Sequence, residues 1–192
     1  MAYYHNSSLP SVTSFRANSL FDPEYAVGGG QPRGFDQLVS LGYQLFYTRK
    51  CKCTVEFFNY NSAITLTAAF YGMLVAQTSS DFSDHPPTNT FADTLMPGSR
   101  YKLIQNLAQM GPKQSVKLSK TVYTKSYLEK RNRVYGRSLF NDYFHDDTQN
   151  PTREVLIHYI DVPLATGTMD YRSIVTLTYY GIASNLYVAP DA

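Results

Sequence analysis

The chain has 192 residues, 43% hydrophobic and 17% charged, with a net charge of +2, a composition that makes a globular chain and excludes a disordered one. A chain of this length folds as one domain without disulfide or metal staples, and it holds no apolar run of the roughly eighteen residues that a membrane-crossing helix needs. Seventeen tyrosines and eleven phenylalanines against no tryptophan supply the aromatic contact surface that partner-binding proteins favour.

The first ten residues, MAYYHNSSLP, lack the apolar core of a signal peptide. Asn6-Ser7-Ser8 fits the glycosylation sequon, but without a secretion signal the match reads as chance. Ser11 to Ala17 reads as a short strand, and Asn18 to Pro23 as turn chemistry, since Asn, Ser, Asp and Pro all favour leaving a ladder. Gly28 to Gly34 (GGGQPRG) has neither a following helix pattern nor a Gly-Lys-Ser/Thr, so it is a loop and not a phosphate cradle. Phe35 to Leu41 has room for one or two helical turns. The next stretch, Leu41 to Ala76, is the organising element. Cys51, Cys53, Val55 and Phe57 alternate with Lys50, Lys52, Thr54 and Glu56, a period of two that marks a half-buried strand. Ile64 to Val75 is rich in the β-branched and aromatic residues of strands, and a turn at Tyr60-Asn61-Ser62 makes the two a long hairpin.

Gln77 to Gly98 is polar and broken by Pro86-Pro87, which predicts a long surface loop. Around Arg100 to Gln109, Leu103, Leu107 and Met110 fit a helical stripe and Tyr101, Leu103 and Gln105 a brief alternation; the expectation is a strand near Tyr101 to Ile104. Lys113 to Thr124 alternates again, with Val116, Leu118 and Val122 on one face and Lys120 interrupting their row. Ser126-Tyr127-Leu128-Glu129 is a capping box and predicts a helix from Tyr127 to about Val134. Leu139 to Arg153 is a second long loop. Glu154 to Val162 and Ser173 to Val188 are the last two strands, joined by a turn at Ala165-Thr166-Gly167. Seven or eight strands with frequent turns make an all-β fold, a sandwich or a Greek-key jelly roll.

Residues that carry chemistry are sparse. Cys51 and Cys53 stand at i and i+2 on one strand face, too far apart for a bridge and without metal or redox spacing, so both are expected to be reduced and inward-facing. His5, His85, His145 and His158 form no zinc pattern. His145-Asp146-Asp147 offers too few ligands for a cation and reads as a solvated loop; His158, between Ile157 and Tyr159, reads as a structural histidine. With no nucleophile elbow either, the chain is expected to be no enzyme and to hold no metal or cofactor.

The order of several local signals resembles the capsid proteins of small circular single-stranded DNA viruses of the circovirus-like (CRESS-DNA) group. The matching runs are Phe15-Arg16-Ala17-Asn18-Ser19-Leu20-Phe21-Asp22-Pro23, then Gly30-Gln31-Pro32-Arg33-Gly34-Phe35-Asp36-Gln37-Leu38, then Tyr43 to Phe57. Leu95 to Ile104 (LMPGSRYKLI), Lys120 to Lys125, Asn141-Asp142-Tyr143 and Asn150-Pro151 follow in the family's order. The resemblance implies a single jelly roll, an eight-stranded antiparallel β-sandwich of the viral capsid type. It also implies self-assembly into a small icosahedral (T=1) shell around a single-stranded DNA genome, with localisation in the virion and assembly in the host nucleus. Members of that family begin with an arginine-rich arm, whereas residues 1–10 here hold no Lys or Arg. The alternative is a ligand-binding jelly roll such as a lectin; a cupin would need a histidine-rich metal motif.

The charge is uneven. Lys113, Lys117, Lys120, Lys125, Lys130, Arg131, Arg133 and Arg137 stand against Glu129 alone, so residues 113–137 carry +7 and the remainder −5. Tyr123, Tyr127 and Tyr135 are interleaved among them. Aromatic faces stack bases without reading sequence, and the eight cations are the candidate nucleic-acid-binding residues, expected to neutralise phosphates of a single-stranded DNA genome; the alternative is a solvated face of ordinary surface charges.

Overall fold

The strand signals condense into two sheets. The computed structural model describes residues 2–7, 12–25, 30–59, 70–80, 102–106, 115–124, 126, 144–163 and 171–184. Among these are eight strands: β1 (Ala2–Ser7), β2 (Val12–Arg16), β3 (Leu45–Asn59), β4 (Phe70–Thr78), β5 (Lys102–Asn106), β6 (Ser115–Tyr123), β7 (Val155–Pro163) and β8 (Tyr171–Ser184), with one short helix, α1 (Phe35–Ser40). One sheet has the order β1-β8-β3-β6 and the other β2-β7-β4-β5, and every strand pairing is antiparallel. Two interleaved four-stranded antiparallel sheets with this order are a jelly roll.

This topology corrects the hairpin expected over Leu41 to Ala76. β3 pairs with β6 and β8, while β4 pairs with β5 and β7, so the chain changes sheets between them. Alternation shows which face of a strand is buried; it does not say which strand lies beside it. The turns expected at Tyr60-Asn61-Ser62 and Ala165-Thr166-Gly167 lie outside the described residues, as does the helix expected over Tyr127 to Val134. The loop expected from Gln77 starts later, because β4 continues to Thr78 and residues 79–80 turn helically. β1 carries no alternation signal and is an element beyond those expected from the sequence; it completes the first sheet by pairing with β8.

The core lies between the sheets. Cys51, Cys53, Val55 and Phe57 of β3, Leu118 and Val122 of β6, and Val175 and Leu177 of β8 face Phe15 of β2, Leu74 and Ala76 of β4, and Val155, Ile157 and Tyr159 of β7. Phe57 and Tyr159 meet across the interface with ring centroids 5.5 Å apart. Leu156, His158 and Ile160 of β7 are fully buried as well, so residues 155–160 are covered on both faces, and His158 is the one polar side chain among them. Near its start β3 bulges between Thr48 and Lys50. Opposite the bulge, a Cβ on Gly181 would lie 2.4 Å from the Tyr47 carbonyl oxygen, so only glycine lets the two backbones approach this closely.

Cys51 and Cys53 are free and buried, as the alternation implied. Burial pushes the Cys53 thiol up to about 12 and raises Cys51 as well, with the neighbouring Cys53 adding to the rise. Neither forms a thiolate at neutral pH, and both are expected to resist alkylation in the native protein. Cys53→Ser should cost about 1–3 kcal/mol by placing a hydroxyl in the apolar row, read as a shift of the urea midpoint. Rapid labelling of both thiols without unfolding would contradict this.

Candidate nucleic-acid interface

The outer face of the β1-β8-β3-β6 sheet is built by the residues that alternate with the core row. β3 lies between β6 and β8, so each outward β3 residue has a cross-strand partner on either side. The rows run Tyr123–Lys50–Tyr180, Thr121–Lys52–Thr178, Ser119–Thr54–Thr176 and Lys117–Glu56–Ile174. The face is therefore hydroxylated and cationic, with aromatic residues at one end. Tyr123 is 57% and Tyr180 46% exposed, and the Lys50 ammonium sits 4.2 Å from the centroid of the Tyr180 ring, a cation–π contact. At the other end Lys117 Nζ lies 3.2 Å from Glu56 Oε2, and Ser115 donates to the other Glu56 oxygen at 3.1 Å. The Lys117 side chain is largely exposed, so this pair adds little to stability.

Of the eight basic residues singled out in the sequence, Lys117 and Lys120 are described. Lys113, Lys125, Lys130, Arg131, Arg133 and Arg137 lie outside the described residues. Strand alternation separates the two: Lys117 is on the outer face, whereas Lys120 falls in the row of Leu118 and Val122, opposite Cys53. Partial burial there lowers the Lys120 pKa. The structure thus does not bring Lys117 and Lys120 to one phosphate-facing surface. It places Lys117 on the same sheet face as Lys50 and Lys52 of β3 and Tyr180 of β8, at the opposite end from Lys50 and Tyr180; the basic segment includes none of those three.

A second cluster is a polar clamp at the end of β2. Arg16 donates from Nη1 to Asp22 Oδ2 at 2.8 Å and to the carbonyls of Asp22 and Glu24 at 3.0 and 3.1 Å, and from Nε to Glu154. Its guanidinium lies 4.8 Å over the ring of Tyr25. Asn18 is fully buried; it donates to the Arg153 carbonyl and accepts from the Val155 N–H, both at 2.8 Å. Ser19 donates to Asn150 Oδ1 at 2.6 Å. The polar residues of the Phe15–Pro23 run are thus tied to the segment before β7, which explains why a turn needs these side chains.

His145 belongs to the same cluster. Its Nε2 accepts from the Leu20 N–H at 3.0 Å, and its Nδ1 lies 2.7 Å from the Asp146 carbonyl, to which it must donate. The ring is therefore the neutral Nδ1–H tautomer, and burial holds its pKa below the usual 6.5 while the bond to Asp146 acts the other way. Asp146 accepts from the Thr148 N–H and hydroxyl and from the Gln149 N–H through Oδ1, at 2.7–2.9 Å. Both residues are occupied in building the turn, not in presenting ligands to a cation. Among the described residues no group of three or more His, Cys, Asp or Glu side chains is placed to hold a metal.

No protein-family model matches the chain, and no curated protein matches it. Solved structures do. A chain of Desmodium yellow mottle tymovirus is 11% identical with a TM-score of 0.41, over 98% of this chain and 84% of that one. A chain of the Israel acute paralysis virus pentamer is 11% identical with a TM-score of 0.39, over 96% of both. Sacbrood virus of honeybee, in expansion state II, gives 12% identity and a TM-score of 0.34 over 99% of this chain and 91% of that one. At such identities and scores these likenesses do not decide what the chain does, and the jelly-roll assignment rests on the strand order.

Proposed function

We propose that the chain is a viral capsid (coat) protein, a structural module and not an enzyme, whose copies assemble into a small icosahedral shell around a circular single-stranded DNA genome. The observation that carries this reading is the strand order β1-β8-β3-β6 and β2-β7-β4-β5, an architecture that capsid proteins share with lectins. The order of the sequence motifs favours the capsid and the circovirus-like group within it. The first of those motifs, Phe15 to Pro23, supplies Arg16, Asn18 and Ser19 of the clamp, so the resemblance falls on residues that hold the fold. The virion is the site of action and the host nucleus the site of assembly.

The two long polar stretches of the sequence, Gln77 to Gly98 and Leu139 to Arg153, are proposed to meet neighbouring subunits or the particle exterior, each subunit contact burying on the order of 1,000 Å² or more. The reading is tested by sizing the purified chain and imaging it in negative stain. Uniform spherical particles support it; a chain that stays monomeric across salt and pH conditions opposes it and favours the lectin-like alternative.

Part of the basic segment is proposed to line the shell interior. Replacing Arg131, Arg133 and Arg137 with Gln should lower the DNA packaged per particle while empty shells still form. The salt slope of binding should fall by about one for each phosphate that is no longer neutralised. An unchanged salt slope would exclude these three arginines from the genome contact.

A further inference from the structure

The exposed tyrosine row on the outer face of the β1-β8-β3-β6 sheet lies outside the hydrophobic core. Tyr123 and Tyr180 stand on either side of Lys50, in register, with Tyr123 more than half exposed. Phenol rings left in water on a flat sheet face are available surface. The Lys50 ammonium covers one face of Tyr180, which leaves Tyr123 as the more open ring and fixes a positive charge between the two. In the next row Lys52 lies between the hydroxyls of Thr121 and Thr178, all three exposed. Lys50 and Lys52 are two residues apart, about 6.8 Å along the strand, a step comparable with that between phosphates of an extended single strand. A second copy of the chain would meet Lys50 and Lys52 at the centre of the patch, where protein contacts are depleted of lysine, and a lipid surface would call for a continuous apolar face, which these two rows do not form. A neutral sugar would use the tyrosines without the two lysines. Stacking rings beside cations and hydroxyl donors match a flexible polyanion with flat bases.

We propose that the Tyr123–Lys50–Tyr180 row and the Thr121–Lys52–Thr178 row form a strip that binds single-stranded nucleic acid, its tyrosines stacking bases and its lysines meeting phosphates. The strip rests on the capsid reading only for its natural occupant, the genome. It extends the contact from the basic segment to β3 and β8, and it reads no sequence, since every base has a stacking face.

The test compares a dye-labelled dT20 with an abasic 20-mer of equal charge, by fluorescence anisotropy on the full chain at concentrations below particle formation. The wild-type chain is expected to bind dT20 about tenfold more tightly than the abasic strand, because one stacked base is worth roughly that much. Tyr123→Leu with Tyr180→Leu should remove the preference, and Tyr123→Phe with Tyr180→Phe should keep it. Lys50→Gln with Lys52→Gln should weaken both strands alike and flatten the salt dependence. All four positions are on the sheet surface, and a urea titration of each variant verifies folding. Equal binding of both strands by the wild type overturns the proposal, as does a preference that survives the leucine changes. Binding of maltohexaose but not dT20 at the same tyrosines overturns it in favour of a sugar-stacking face. Particle formation is scored separately: particles without base preference defeat the strip alone, and base preference in a chain that never assembles defeats the capsid reading alone.

Discussion

Arg16→Ala is expected to destabilise the chain by about 3–5 kcal/mol, because truncating one partner leaves buried charges without compensation. The side chains of Arg16, Asp22 and Glu154 are only 11–16% exposed, so water cannot readily replace the guanidinium. Two carboxylates would lose the guanidinium that faces them, and the carbonyls of Asp22 and Glu24 would lose its N–H donor. Arg16→Lys keeps the charge but not the fork that serves Nε and Nη1 partners together, and it should fall between the alanine variant and the wild type. Urea unfolding of the chain measures both. A control comes from Glu154→Gln: in that background Arg16→Ala should cost less, since one buried carboxylate is already neutral. A loss below about 1 kcal/mol in Arg16→Ala would mean that the clamp is solvated and behaves as a surface pair.

The clamp also shows where local pattern stops being informative. Asn18 and Ser19 are recognisable as residues that leave a strand, but their partners Arg153 and Asn150, and the Glu154 that meets Arg16, are more than 130 positions away. They meet only because β2 pairs with β7, a non-local pairing that local pattern does not encode. The same limit explains the false hairpin. The alternation of Cys51, Cys53, Val55 and Phe57 identifies the buried face of β3 correctly, but its neighbours, β6 and β8, come from far along the chain. Among the described residues only β4 and β5 are both consecutive and paired. β1 is illegible because Tyr3-Tyr4-His5-Asn6 has no period of two. The proposed strip is half legible: Lys50 and Lys52 are readable as outward residues of β3 and Tyr123 as a residue of the basic segment. That Tyr180 completes their row follows from the β3–β8 register, which no local signal contains.

Acid should destabilise the chain through His158, beginning near pH 6.5. The ring is fully buried, with Nδ1 2.7 Å from the hydroxyl of Ser14, and its register partners are Ser14 on β2 and Val75 on β4, neither of them a charge that would favour the imidazolium. Burial lowers its pKa from 6.5 to about 3. An unfolded chain therefore takes up the proton near pH 6.5, whereas the folded chain refuses it until about pH 3. Between those values the unfolded state binds more protons, so its contribution is fully present above pH 6.5 and is lost as pH falls, at up to about 1.4 kcal/mol per unit. At pH 4.5 the loss should approach about 3 kcal/mol. His145, also held below 6.5 by burial, acts in the same direction and steepens the fall. For Asp146 desolvation pushes the pKa up, but its turn hydrogen bonds to Thr148 and Gln149 outweigh it and hold the carboxyl below the usual 3.8. Unfolding free energies measured from pH 7 to 4.5 should therefore slope by more than one proton's worth. The His158 ring resonances should not titrate over that range in the native chain. A flat stability profile, or a His158 ring that protonates near pH 6 without unfolding, would show that water or a counter-charge reaches the site.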